Sequence, residues 1–385
     1  MHLYVIHLEC LYPNHQLNKK PSKSQDYNMI LSLQYLRGIA ALLVVLYHYR
    51  GELNSIYAQK GLGDLLFSNG YIGVDLFFMV SGFVIMLSTE KDKSSLSFAI
   101  KRIFRIYPVY IVCLILCTYF LSKPIDLDFY KSLFFIPLDI NSQAPWFGYS
   151  LIYTAWTLMY EIIFYFIFSF SMIASWRYRG LICSVVLVVL PFLIGYYYNN
   201  RISLSGYDAV MAHTGIYFVD SAIRLLSSPM FIEFAVGILI YEIYKRSRNR
   251  FFQLVSTGMV IISLSLFILY YITGVNGGHG INSSGMFAAL LLLSLTVYEK
   301  NHPIKPIKSL NFLGDISYSL YLTHPIIIQS ITTLFFVSSI YSPNGGFGNV
   351  YIMLIIAFAL SSILFYTIEK PFVNLGRKII NKIRR

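Results

Sequence analysis

The sequence predicts an all-α, polytopic membrane protein with about ten transmembrane helices and both termini cytoplasmic, and three observations predict it. Of 385 residues, 56% are hydrophobic and only 12% charged, with a mean hydropathy of +0.61; an ordinary soluble domain carries about 25% charged residues. The apolar residues fall in blocks of about 18 to 22, long enough to cross a bilayer. The basic residues are strongly partitioned. With the N-terminus inside, 24 of the 30 lysines and arginines lie on cytoplasmic segments, which favours an even number of crossings. The blocks run 30–49, 71–90, 107–121, 150–172, 181–198, 225–244, 252–273, 281–298, 316–337 and 350–368. They form one membrane domain, 29–372, between an N-terminal tail, 1–28, and a basic cytoplasmic tail, 373–385. Met29 is a candidate natural start, which would make the first 28 residues dispensable.

The first block, LQYLRGIAALLVVLYHY, holds Arg37 and, eleven residues later, His48. Eleven steps of 100° return to within about 20° of the starting face, about 16 Å further along. One side of one membrane helix therefore carries a cation near its entrance and an imidazole far along it, with Ala40 and Ala41 leaving room between them. Polar groups at that depth cost roughly 2.5 kcal/mol or more, and imidazole is the side chain suited to moving protons near neutral pH. Alone, Arg37 reads as a charge anchor; in phase with His48, it reads as functional.

The second block, YIGVDLFFMVSGFVIMLS, runs the other way, so Asp75 falls at a depth similar to that of His48. A carboxylate beside the imidazole would fix its tautomer and raise its basicity. Gly73, Ser81 and Gly82 suit close helix packing. The third block opens KRIFRIYP, with Arg102 and Arg105 sharing a face at the cytoplasmic mouth. Arginine forks suit phosphate, although ordinary inside charge explains the pair equally well. The loop 122–149 contains FYKSLFFIPL, too short to span and expected in the interface, and Trp146 and Trp156 mark the membrane boundary.

In the fourth block, WTLMYEIIFY sets Glu161 near the midplane, where a carboxylate must be protonated or find a cation. Glu233, in MFIEFAVGILIY, is a weaker case of the same kind. The loop TGVNGGHGINSSG is glycine-rich and flexible, and its His279 reads as a solvated loop histidine. In the ninth block, FLGDISYSLYLTHPIII, Asp315 suits a helix cap, and Ser317, Tyr321 and His324 form a polar stripe at i, i+4 and i+7. Interhelical hydrogen bonding accounts for the hydroxyls; His324, some nine residues deep, points to function.

A net charge of +12 suggests nucleic-acid affinity, but its distribution marks a cytoplasmic face instead, and nucleic acid is excluded as a partner. Cys113, Cys117 and Cys183 lie in or at spans and Cys10 inside, giving neither a disulfide framework nor metal-ligand spacing. Residues 1–28 lack a signal peptide's order of features. No internal repeat is evident, which weakens a transporter built on inverted halves.

Taken in order, these segments resemble the acyltransferase-3 family of bacterial membrane acyltransferases. The resemblance rests on Arg37 and His48 with ten residues between them, GVDLFFMVSGFVI (73–85), Arg102 with Arg105, Trp156 with Glu161, ISYSLYLTHP (316–325) and the closing EKPF (369–372). It implies transfer of an acyl group, often acetyl, from cytoplasmic acyl-CoA to a hydroxyl of an extracytoplasmic glycan, O-antigen or a lipid-linked precursor, in the bacterial inner membrane. No permanently bound cofactor is expected. The polyanionic head of CoA would stay at the inner face near Arg102, Arg105 and Arg37, while its thin arm followed Ala40 and Ala41 toward His48. His48 would act as the base, with Asp75 and Glu161 as further catalytic groups. An acyl-histidine intermediate is the competing route. Trp156, Tyr318, Tyr321 and His324 are the candidates for contacts to acceptor or oxyanion. Some relatives carry an added extracytoplasmic hydrolase-like domain, so here transfer is expected to be completed within the membrane domain. A glycan or lipid-linked anion flippase, and a non-catalytic subunit of a polysaccharide-assembly complex, are the alternative readings.

Overall fold

A computed structural model describes residues 30–335 and 344–384, without the side chains of 331–335. The expectations for the tail 1–28 and Cys10 lie outside the described residues. Among those residues there are helices and no strands. The principal helices are α1 (Leu31–Tyr49), α2 (Ile72–Ser88), α3 (Ser95–Phe120), α4 (Trp156–Ala174), α5 (Arg179–Asn199), α6 (Phe231–Arg246), α7 (Arg250–Thr273), α8 (Ser284–Asn301), α9 (Lys308–Phe335), α10 (Phe347–Leu364) and α11 (Lys370–Ile383). Each apolar block of the sequence falls on one of the first ten. Among the described residues, seven helical segments are by themselves long and apolar enough to cross a membrane; an eighth is gained if Tyr217–Leu226 and α6, bent by 42°, form one broken span.

Burial orders the bundle. The span containing α2 is 72% buried and that of α1 56%, whereas those of α5 and α7 are 22% and 17% buried. So α2 is the central post, and α5 and α7 turn most of their apolar surface outward, as lipid-facing helices do. The backbone amides of Leu31 and Ser32 donate to the Glu299 carboxylate at 2.8 and 2.7 Å. An anion at this helix start satisfies two of the N–H groups that lack intrahelical partners.

Glycine sets two crossings that position everything else. Where α1 meets α9, a Cβ on Gly38 would lie 2.8 Å from the Gly314 nitrogen, and one on Gly314 would lie 2.4 Å from the Gln34 oxygen. Where α2 meets α6, a Cβ on Gly82 would lie 2.2 Å from the Phe234 oxygen, and one on Gly237 2.0 Å from the Met79 oxygen. With no hydrophobic drive between helices in lipid, such backbone contact is what holds them together. Gly314→Val is expected to force α1 off α9, lowering the melting temperature of the purified protein and abolishing activity with it; an unchanged melting temperature would show the crossing to be dispensable.

The stretch 373–385, expected as a basic tail, instead continues as helix α11 to Ile383. A single π turn, Phe365–Glu369, joins it to α10. Pro371 has no N–H and crowds the carbonyl four residues back, so a wider turn just before it is a natural accommodation. The turn directs Glu369 inward, where it is 1% exposed.

Candidate active site

The α1–α9 crossing brings the two in-phase polar residues of α1 onto the polar stripe of α9. Arg37 donates through Nη2 to the Ser317 hydroxyl (3.0 Å) and through Nη1 to the Gln34 side-chain oxygen (3.3 Å), and Gln34 donates to Asp315 (2.6 Å). Further along the same pair of helices, His48 Nδ1 stands 3.2 Å from His324 Nε2, with ring centroids 5.1 Å apart. His324 is fully buried and His48 half-buried, between Tyr47 and Tyr153.

Their acceptors assign the tautomers. His48 Nδ1 lies 2.8 Å from the Val44 carbonyl, and His324 Nδ1 lies 3.1 Å from the Leu320 carbonyl. A carbonyl only accepts, so in each neutral ring Nδ1 carries the proton. His324 Nε2 is then an acceptor for the His48 Nδ1–H, which it shares with Val44. His48 Nε2 is left with a free lone pair, as a general base requires.

Asp75 was the expected partner of His48, and the structure corrects this. Its carboxylate takes His279 Nδ1 at 2.9 Å and the Gly280 N–H at 3.1 Å, and Asp75 and His279 are both buried. His279 is accordingly no solvated loop histidine. Gly278 and Gly280 adopt φ of +115° and +113°, a region closed to most side chains, and this lets the loop turn inward. His279 then packs against Tyr71, Trp156 and Tyr207. Glu233, also fully buried, stands beside Asp75. Trp156 belongs to this cluster, its ring 5.8 Å from that of His279.

At the Arg37 end, a cavity of about 800 Å³ opens between α1, α2, α3, α4, α9 and α11. Seven basic side chains line it, Arg37, Lys91, Lys101, Arg102, Arg105, Arg377 and Arg384, against two carboxylates, Asp92 and Glu161. Arg102 donates to the Ser88 hydroxyl (3.0 Å), and its Nε is buried without a partner among the described residues. Arg105 is held by Glu369 (3.0 Å), which also accepts from Ser319 (2.7 Å). Glu161 finds hydroxyls rather than a cation: Ser81 donates at 3.0 Å, and Tyr165 donates as well. Asp92 takes Lys101 (2.7 Å) and Arg384. Burial alone would raise the Asp92 carboxyl, but its bonds to Lys101, the Ser94 N–H and the nearby Arg384 charge hold it below its usual range.

Phe77, Thr157 and Tyr321 line the cavity, and His48 and His324 do not. The Tyr321 ring lies 5.5 Å from Phe77 and 5.9 Å from His324, so this layer separates the cavity from the histidine pair. Both candidate phenols are occupied as donors: Tyr321 to the Thr154 carbonyl (3.0 Å) and Tyr318 to the Ile106 carbonyl (2.9 Å).

The acyltransferase-3 family model, described as an acyltransferase domain, matches residues 30–366. The chain belongs to the acyltransferase-3 family. It is similar to the exopolysaccharide production protein ExoZ of Rhizobium meliloti, 26% identical over 81% of this chain and 92% of that protein. It is likewise similar to the O-acetyltransferase OatA of Staphylococcus aureus, 26% identical over 94% of this chain but only 60% of OatA. No solved structure matches.

This acyltransferase-3 chain thus gathers Arg37, Arg102, Arg105, Glu161, Tyr318 and Tyr321 on one cavity, pairs His48 with His324 beyond its end, and sets Asp75 and Trp156 in a separate buried cluster. Sequence reasoning missed Lys101, Asp92, Arg377 and Arg384 as cavity groups and used Glu369 only as part of a motif. The spacing of 373, 377, 380, 381 and 384, one face of a helix, was the available signal.

Proposed function

We propose that this protein is a multi-pass O-acyltransferase of the bacterial inner membrane, with both termini cytoplasmic. It moves an acyl group, most simply acetyl, from cytoplasmic acyl-CoA to a hydroxyl of an extracytoplasmic glycan such as O-antigen. The observation that carries this reading is the cationic cavity at the Arg37 end, which stops one helical turn short of the His48–His324 pair. A polyanionic thioester donor cannot enter hydrocarbon, so it needs a basic chamber on one side and a proton acceptor toward the other. The relatives' names, exopolysaccharide production and O-acetyltransferase, agree with a glycan acceptor.

In this reading His48 Nε2 accepts the acceptor hydroxyl's proton as its oxygen attacks the thioester carbonyl. The new C–O bond forms, the C–S bond breaks, and the proton passes to the departing thiolate. His324 Nε2 accepts from His48 Nδ1–H throughout and steadies the imidazolium. The acyl group must cross the Phe77–Thr157–Tyr321 layer, so movement of Tyr321 off Thr154 would both open the way and free a hydroxyl to meet the developing oxyanion. The test is purified protein with [acetyl-¹⁴C]CoA and a surface glycan: label should move to the glycan. Passage of intact glycan into vesicles without acylation would instead support the flippase reading.

A further inference from the structure

Helix α11 lies beyond the 30–366 stretch that matches the family, yet it forms a wall of the cavity. Val373, Arg377, Ile380, Asn381 and Arg384 all line it, at i, i+4, i+7, i+8 and i+11, one face of one helix. Gly376 secures the helix by lying flat on Phe104 of α3, where a Cβ would be 2.9 Å from the Phe104 Cβ. The apolar residues Phe372, Leu375 and Ile383 are exposed, as are Lys378 and Lys382, none of which lines the cavity. Arg377, Asn381 and Arg384 are exposed as well, so the helix sets two cations at the open mouth of the cavity while its apolar residues Phe372, Leu375 and Ile383 lie outside it.

The cations that α11 adds to the cavity are incompletely matched. Arg377 has no carboxylate partner among the described residues, and Lys101 and Arg384 share the single carboxylate of Asp92. Arg102, whose Nε is buried without a partner among the described residues, is also a lining residue. A chamber with surplus forked donors and one shared carboxylate is chemically suited to a dense polyanion.

We propose that α11 is a recognition element for the phosphorylated nucleotide end of the donor, with Arg377, Arg384 and Lys101 contacting its diphosphate and 3′-phosphate. The inference rests on the acyl-CoA reading above and deepens it. Asp92 holds Lys101 and Arg384 in place while the site is empty, and the donor's phosphates take over or share those contacts on binding. The shared chemistry is phosphate, so an anionic lipid headgroup is the competing source.

The test uses the full-length protein in nanodiscs of neutral lipid and, in parallel, of lipid containing phosphatidylglycerol. Transfer is measured with acetyl-CoA, acetyl-3′-dephospho-CoA and S-acetyl-pantetheine. R377Q/R384Q is expected to raise KM for acetyl-CoA about tenfold or more, the usual consequence of losing charge-assisted hydrogen bonds, while leaving kcat within about twofold. The increase should shrink for the dephospho donor and vanish for S-acetyl-pantetheine. K378Q/K382Q, on residues outside the cavity, should match wild type in both lipids. An equal KM in wild type and R377Q/R384Q overturns the inference, as does an equal loss with S-acetyl-pantetheine, which would mean a structural role. A loss seen only with phosphatidylglycerol and shared by the lysine variant assigns the helix to lipid and also overturns it. Wild-type protein that neither binds nor uses acetyl-CoA overturns the donor reading itself, and this inference with it.

Discussion

His48→Ala is expected to lower acyl transfer by about 10²- to 10⁴-fold, the span of a lost general base, with membrane insertion and melting temperature preserved. The stability half of this expectation follows from the site. His48 is half-buried; its hydrogen bonds are to the Val44 carbonyl of its own helix and one to His324 of α9, and its ring otherwise packs on Tyr47 and Tyr153. His324→Ala should cost less, about ten- to a hundredfold, because it removes one hydrogen bond to a ring that becomes charged only during transfer. The two losses should not add: without His48, His324 has no ring to steady. Turnover by His48→Ala within about threefold of wild type would remove the base from the mechanism. Should acetyl label instead remain on wild-type protein when no acceptor is present and disappear in His48→Ala, the acyl-histidine route replaces direct attack.

The sequence made some of this geometry legible because helix periodicity is strict. Arg37 and His48 share a face of α1, and Ser317, Tyr321 and His324 share a stripe of α9; each follows from counting by 100°. Gly38 and Gly314 bring those faces together, but their pairing is a tertiary fact with no local signature, so nothing in either helix alone names His324 as the partner of His48. Matched depth suggested Asp75 for that place. Depth restricts a residue to a plane and leaves its direction open, and Asp75 bonds His279 and Gly280 of the loop between α7 and α8 instead of the pair. The loop itself was misread because Gly278 and Gly280 look alike in a solvated turn and in an inward one. Similarly, basic residues after EKPF read as an ordinary cytoplasmic tail by charge alone. Only the packing of α11 against α3, through Gly376 on Phe104, shows that Arg377 and Arg384 line a cavity.

Asp75→Ala should be strongly destabilising, costing about 3 to 5 kcal/mol as expected when one member of a buried polar pair is removed. The carboxylate accepts two bonds from one loop, from His279 and from the Gly280 N–H, and Asp75 and His279 are 0% and 4% exposed. Removing it strands both donors and leaves Glu233 without its neighbour. Asp75→Asn keeps the shape and one acceptor oxygen, so its loss should be smaller, with His279→Gln of similar size. Thermal unfolding of the detergent-purified proteins, read beside transfer per folded molecule, separates the two roles this residue can have. If Asp75 is structural, as its bonds to His279 and Gly280 rather than to His48 imply, the folded fraction of Asp75→Asn turns over at nearly the wild-type rate while its melting temperature falls. Loss of turnover with an unchanged melting temperature would return Asp75 to the chemistry, and would require the Tyr47–Tyr71–His279 line of rings, which links the two clusters at separations of 5.8 and 5.1 Å, to be more than packing.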